Sequence, residues 1–117
     1  MVRISNDIGN IQISNEVFLA LTSEAAVTCY GVKGMTVRSV KDGFVHLLKR
    51  EAMGKGVRVT YNDDATISIE LHIAVDQGVN IPAICDSIVN QVRYQVGSAT
   101  GVEIKTVDVF VDSVIID

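Results

Sequence analysis

Residues 57–75 read VRVTYNDDATISIELHIAV, and this stretch decides the fold. Val57, Val59 and Tyr61 alternate with Arg58 and Thr60. Ile67, Ile69, Leu71, Ile73 and Val75 alternate with Ser68, Glu70, His72 and Ala74. Successive strand side chains point to opposite faces, so each run predicts a strand with one buried face and one solvated or differently covered face. Asn62-Asp-Asp-Ala65 supplies turn residues between them. The pair therefore predicts an antiparallel hairpin.

Downstream, Asn80 is a helix cap and Pro82 sits in the first turn, where free N–H groups tolerate it. Ile81, Ile84, Cys85, Ile88, Val92 and Val96 follow the i, i+3, i+4, i+7 pattern, and Gly97 is the expected stop. Val102 and Ile104 then alternate, but the next apolar set is Val107, Val109 and Val111. A one-residue slip turns side chains to the other face unless a bulge absorbs it, so a bulge or bend is expected near Lys105-Thr106. The strand–helix–strand run from Ile67 to Ile115 fits a right-handed crossover or a split arrangement with an intervening strand. The pattern leaves both open.

Upstream, Ile8, Ile11 and Ile13 predict a short first strand. Ser14 and Asn15 are cap candidates, with Glu16 favoured by the helix dipole. Val17, Leu21, Ala25 and Cys29, with Phe18 beside them, predict a helix of about four turns. Gly31 and Gly34 are expected to stop it, making Tyr30 to Met35 a glycine-punctuated connection. Val37 and Val40 suggest a short strand, and Phe44 to Met53 a short exposed helix ended by Gly54-Lys55-Gly56. The expected class is α+β: a two-layer α/β sandwich, two main helices plus one short helix on a mixed sheet of about four or five strands. With a single Pro and no linker-like tract, residues 1–117 are expected to form a single domain.

At 117 residues and 48% hydrophobic content the chain can bury a core without metal or disulfide. Cys29 and Cys85 form no CxxC or Cys/His cluster, and read as two reduced, buried thiols of a cytosolic protein. The N-terminus lacks signal-peptide character. No apolar stretch approaches the roughly 18 residues needed to span a bilayer.

Charge is the segregated feature. Lys33, Arg38, Lys41, Lys49, Arg50, Lys55 and Arg58 are set against only Asp42 and Glu51, so residues 33–58 carry +5 while the remainder carries −9. Such a segment is either a solvated face or an electrostatic docking surface. Nucleic-acid binders are usually basic overall and rich in stacking aromatics. This chain is acidic, and Phe44 is the one aromatic in the segment, so protein or lipid docking ranks above nucleic acid.

No catalytic constellation accompanies the charge. His72 shares a strand face with Glu70 but has no third partner in the local sequence, and His46 lies in the weakly amphipathic basic segment. Asp63-Asp64 reads as turn chemistry, and Asp108 and Asp112 as solvated strand positions. Ser14 and Ser23 lack a Gly-x-Ser-x-Gly context. Gly54-Lys55-Gly56 lacks the full phosphate-loop signature. Gly31-Val-Lys-Gly34 shares its glycine spacing with the loop of KH domains, although a helix end explains Gly31 as well. No metal ligand set, cofactor or catalytic residue is expected.

Over about Ile8 to Ile115 the chain resembles the bacterial alkaline shock protein family, in its compact YloU-like branch. The resemblance is carried by Gly9-Asn-Ile-Gln-Ile-Ser-Asn-Glu-Val17, Cys29-Tyr-Gly-Val-Lys-Gly-Met35, Lys41-Asp-Gly43, Gly56-Val-Arg-Val59, and Gly101-Val-Glu-Ile104 with the Val107 to Val111 strand. It implies a cytoplasmic, non-enzymatic protein of Gram-positive bacteria, linked to cell-envelope homeostasis and stress. Some members of that family are held at the membrane by a separate anchor, and some are encoded beside a fatty-acid-kinase-like protein.

The combined expectation is a non-catalytic interaction module. It docks an acidic or membrane-associated protein through residues 33–58 and self-associates through a strand edge. Two alternatives are KH-like RNA binding at Gly31 to Gly34, and a lipid or acyl carrier with a cavity between the sheet and the helix of Val92.

Overall fold

The computed structural model describes residues 1–38 and 43–116. Val40 and Lys41 therefore lie outside the described residues. The elements are β1 (Val2–Asn6), β2 (Gly9–Ile13), α1 (Asn15–Val27), β3 (Val32–Arg38), β4 (Val45–Leu47), a 3₁₀ helix (Arg50–Gly56), β5 (Val57–Tyr61), β6 (Ile67–Asp76), α2 (Ile81–Thr100) and β7 (Ile104–Ile115). The α+β class follows as expected, with a mixed five-stranded sheet and a small antiparallel one.

The expected hairpin is present, with Val57↔Leu71 through Tyr61↔Ile67 in antiparallel register. Its turn is locked by Asp64, whose Oδ1 accepts from the Thr66 hydroxyl at 2.6 Å and the Thr66 N–H at 3.2 Å. These bonds, with Lys105 nearby, hold the Asp64 carboxyl below the usual carboxylate range. β6 is the spine. β5 lies against its first half and β3, antiparallel at Met35↔Ile73 and Gly34↔Ala74, against its second half. β7 runs parallel along the other edge from Ile104 to Ile115. The crossover therefore joins adjacent strands, with no strand between.

Ile67, Ile69, Leu71, Ile73 and Val75 are all 1% exposed or less and face both main helices. α2 contributes Ile84, Ile88, Val92 and Val96 to this core. Burying each such side chain is worth about 1.5–3 kcal/mol. Val92, Ile88 and Val96 are fully buried there, so protein side chains occupy the position assigned to an acyl ligand. The Asn80 cap is present, its side chain accepting from the Ala83 N–H at 3.0 Å. The expected stop at Gly97 is wrong: α2 continues to Thr100, and Gly101 (φ 73°) makes the left-handed cap.

α1 buries most of the expected stripe, Phe18 and Ala25 fully and Leu21 and Cys29 in part, but turns it toward small residues and leaves Val17 out. Phe18, Thr22, Ala25 and Ala26 face inward, while Val17 is 42% exposed. Small residues let α1 close on α2 and the sheet, so residue size outweighs hydropathy in choosing the buried face. The Thr22 hydroxyl is buried without a partner, a cost of α1's close approach.

Three further expectations need correction. The N-terminal segment is a hairpin rather than one strand, with Ile8 in its turn. Phe44 to Met53 is not a helix: β4 pairs with β3 at Val37↔His46, and a 3₁₀ helix begins only at Arg50. Pairing with β3 overrides the weak helical propensity of that segment. The stretch from Gly31 to Gly34 is not an exposed loop. Gly31 (φ 89°) is buried, with a hypothetical Cβ 2.5 Å from Ile84 Cδ1, and Gly34 sits within β3. That leaves no KH-like clamp.

The bulge appears where the phase slips. Lys105 is the extra residue between Ile67↔Ile104 and Ser68↔Thr106. Arg93 of α2 secures it, its guanidinium donating to the Ile104 and Lys105 carbonyls at 2.6 and 3.0 Å. A second irregularity lies between Ile73↔Val111 and Ala74↔Ser113, leaving Asp112 as the extra residue. Among the described residues, no helix is long and apolar enough to cross a membrane.

Candidate functional site

Because α1 and α2 cover one sheet face, the opposite face is left to the polar set of each alternating strand. There β6 presents Glu70 and His72, β5 presents Arg58, β3 presents Thr36 and Arg38, and β7 presents Asp108, Phe110 and Asp112. A cleft of about 370 Å³ opens on this face, lined by Arg38, Lys55, Arg58, Glu70, His72 and Asp112 among others.

His72 is the centre of the polar cluster. Its Nδ1 lies 2.8 Å from Asp112 Oδ2, and its Nε2 lies 3.2 Å from Glu70 Oε2. Its ring stacks on Phe110 at 4.8 Å and 13°. The Thr36 hydroxyl donates to the same Asp112 oxygen at 3.2 Å. A neutral imidazole donates to one of the two carboxylates; an imidazolium donates to both. The two ring nitrogens point away from each other, so the carboxylates do not converge with a single nitrogen on one point. Among the described residues, no group of three or more His, Cys, Asp or Glu is arranged to hold a metal ion.

Asp112 corrects a sequence expectation. Its side chain is only 18% exposed and holds Thr36 and His72, so it is not a solvated strand position. The bulge turns it inward. A signal was present: Val109 and Val111 are followed by Val114, a second phase slip that marks Asp112-Ser113.

The seven basic residues do not form one patch. Arg38, Lys55 and Arg58 converge on the cleft from β3, the 3₁₀ helix and β5. Arg38 is oriented by donating to the Gly43 carbonyl at 2.7 Å. Among the described residues Lys49, Lys55 and Arg58 make no ion pair. Arg50 instead faces α1, with Glu24 at 3.9 Å, and lines a second groove of about 410 Å³ with Leu19, Ala20 and Met53, which Lys55 borders as well. Lys33 is spent on Asp76 at 4.0 Å, beyond the cleft. Lys41 lies outside the described residues.

The two cysteines are free and half-buried. Burial pushes both thiols above their ordinary range, and Asp86 adds to the effect at Cys85. Low thiolate content makes them poor nucleophiles.

The sequence matches the model of the alkaline shock protein 23 family, described as having a cell envelope-related function, over residues 3–116. The chain belongs to this family. Among similar proteins is the uncharacterized protein YloU of Bacillus subtilis, 32% identical over 97% of this chain and 94% of that protein. The uncharacterized protein Spy1614 of Streptococcus pyogenes is 31% identical over 97% and 93%. A second B. subtilis relative, the uncharacterized protein YqhY, is 28% identical over 89% and 76%. No solved structure matches the chain significantly.

Proposed function

We propose that this alkaline shock family member is a non-catalytic docking module that receives an acidic segment of a membrane-associated protein in the cell-envelope system. One observation carries this reading. Arg38, Lys55 and Arg58, drawn from three elements, line one cleft on the face that no helix covers, and Lys55 and Arg58 have no ion pair among the described residues. Unneutralised cations at a concave surface attract carboxylates and speed encounter. Glu70, the cross-strand partner of Arg58, and Asp112 add negative charge to the same cleft, and both engage His72. The proposed location is the cytoplasm, at the inner face of the membrane when the partner is bound. A membrane anchor and a fatty-acid-kinase-like protein are the partner classes that the family resemblance brings forward.

The test is affinity capture from the native host by the wild-type chain and by Lys55→Glu/Arg58→Glu. The variant is expected to keep its circular dichroism spectrum and to lose the captured partner at least tenfold. Equal capture by both proteins refutes the cleft as the docking surface.

A further inference from the structure

His72 sits in the basic cleft with a carboxylate on each ring nitrogen. Asp112 Oδ2 lies 2.8 Å from Nδ1, and Glu70 Oε2 lies 3.2 Å from Nε2. A neutral imidazole has one N–H and one lone pair, so it serves one carboxylate and turns its lone pair on the other. Only the imidazolium donates to both. Phe110, the cross-strand neighbour of His72 on β7, stacks on the ring and fixes its plane between the two acids. The His72 side chain is 33% exposed, so it exchanges protons with solvent.

The ring is wired to the cations of the cleft. Glu70 is the cross-strand partner of Arg58, yet its carboxylate is held at His72, and Arg58 makes no ion pair among the described residues. The charged groups around the ring are Glu70 from its own β6, Asp112 and, across from Glu70, Asp108 from β7, Arg38 from β3, Arg58 from β5 and Lys55 from the 3₁₀ helix. On β3 the Thr36 hydroxyl adds a donor to Asp112. Of these groups the cleft lining holds three cations and two carboxylates, so protonation of His72 takes its net charge from +1 to +2.

We infer that protonation of His72 opens this cleft to acidic partners and that its deprotonation closes it. When the imidazole is neutral, its proton serves Asp112 at the shorter contact, and Glu70 is left to the guanidinium of Arg58. When it is charged, Glu70 is drawn to Nε2, and Arg58 turns its donors to an incoming carboxylate. One proton decides whether Arg58 holds the chain's own acid or the partner's. The coupling is reciprocal, so docking draws a proton onto His72. Histidine ordinarily titrates between about pH 5 and 8, where the carboxylates of a partner stay ionised. This regulation rests on the cleft being the docking surface.

The experiment measures binding of a fluorescent octaglutamate peptide to the full chain by anisotropy, at about pH 6 and about pH 8 and at equal ionic strength. The wild type is expected to bind about fivefold tighter at the lower pH, at the small end of site-to-site couplings. His72→Gln, which forms hydrogen bonds but carries no charge, is expected to bind equally at both. Glu70→Gln, which removes the rival for Arg58, is expected to bind at the higher pH nearly as tightly as the wild type does at the lower. If His72→Gln fails to fold, Glu70→Gln carries the test. Equal wild-type binding at both pH values overturns the regulation and leaves the docking surface standing. So does a His72→Gln variant that keeps the wild-type pH dependence, or a Glu70→Gln variant that gains nothing at the higher pH. Absence of binding at either pH overturns the docking surface and its regulation together.

Discussion

His72 Nδ1 stands 2.8 Å from Asp112 Oδ2, a contact between β6 and β7 made by residues forty positions apart. It ties the two parallel strands at the bulge where backbone pairing slips, and it gathers the Thr36 hydroxyl of β3 into the same carboxylate. Three strands thus meet at one oxygen. The groups are partly solvated, so the cluster shapes the cleft more than it stabilises the fold.

Removing that carboxylate should therefore have a modest cost. Asp112→Ala leaves His72 and Thr36 without their acceptor and is expected to destabilise by about 1–2 kcal/mol, partial exposure holding it below a buried charge pair. His72→Ala should cost a similar amount, since it also loses the Phe110 stack. The double variant should be less destabilised than the two losses added, because the partners share one interaction. Urea midpoints of the four proteins measure this. Strict additivity means that the contact contributes nothing.

Gly31 should tolerate no side chain. Its φ of 89° disfavours any L residue, and an added Cβ falls 2.5 Å from Ile84 Cδ1 and 3.1 Å from Val79 Cγ1. Backbone strain and overpacking each cost about 1–3 kcal/mol. Gly31→Ala is expected to lower the melting temperature by at least about 5 °C. Gly43→Ala, with a similar φ of 73° but nothing within 4 Å of its Cβ, should lose less. Equal losses would show that packing against Ile84 is immaterial.

The thiols set a pH dependence. Burial raises Cys29 and Cys85 in the folded chain, so the folded state resists their ionisation more than the unfolded state does. Their contribution to stability is complete below the ordinary thiol range and is lost as pH rises through the raised folded values. Urea midpoints should fall between roughly pH 8 and 10, and less so in Cys29→Ser/Cys85→Ser. Alkylation by iodoacetamide at pH 8 should be several-fold slower in buffer than in denaturant. Equal rates would remove the effect.

Local pattern determined a large part of this protein. Alternation placed β5 and β6, the stripe from Ile84 to Val96 placed α2, Asn80 marked its cap, and the slip after Ile104 marked the bulge at Lys105. Each is a regularity among residues close in sequence, where backbone periodicity dictates which face a side chain takes. Glycine placement likewise disclosed the family.

Tertiary structure decided what no window contains. The buried stripe of α1 depends on how closely small residues let it approach α2, and Val45 to Leu47 became strand because β3 was there to pair with it. Strand order settled the cleft. Thr36, Lys55, Arg58, His72 and Asp112 meet only because β3 and β5 share one edge of β6 while β7 takes the other. Charge spacing marked a basic segment, yet pairing between strands distant in sequence brought Arg38, Lys55 and Arg58 to one cleft and left Lys33 and Arg50 outside its lining.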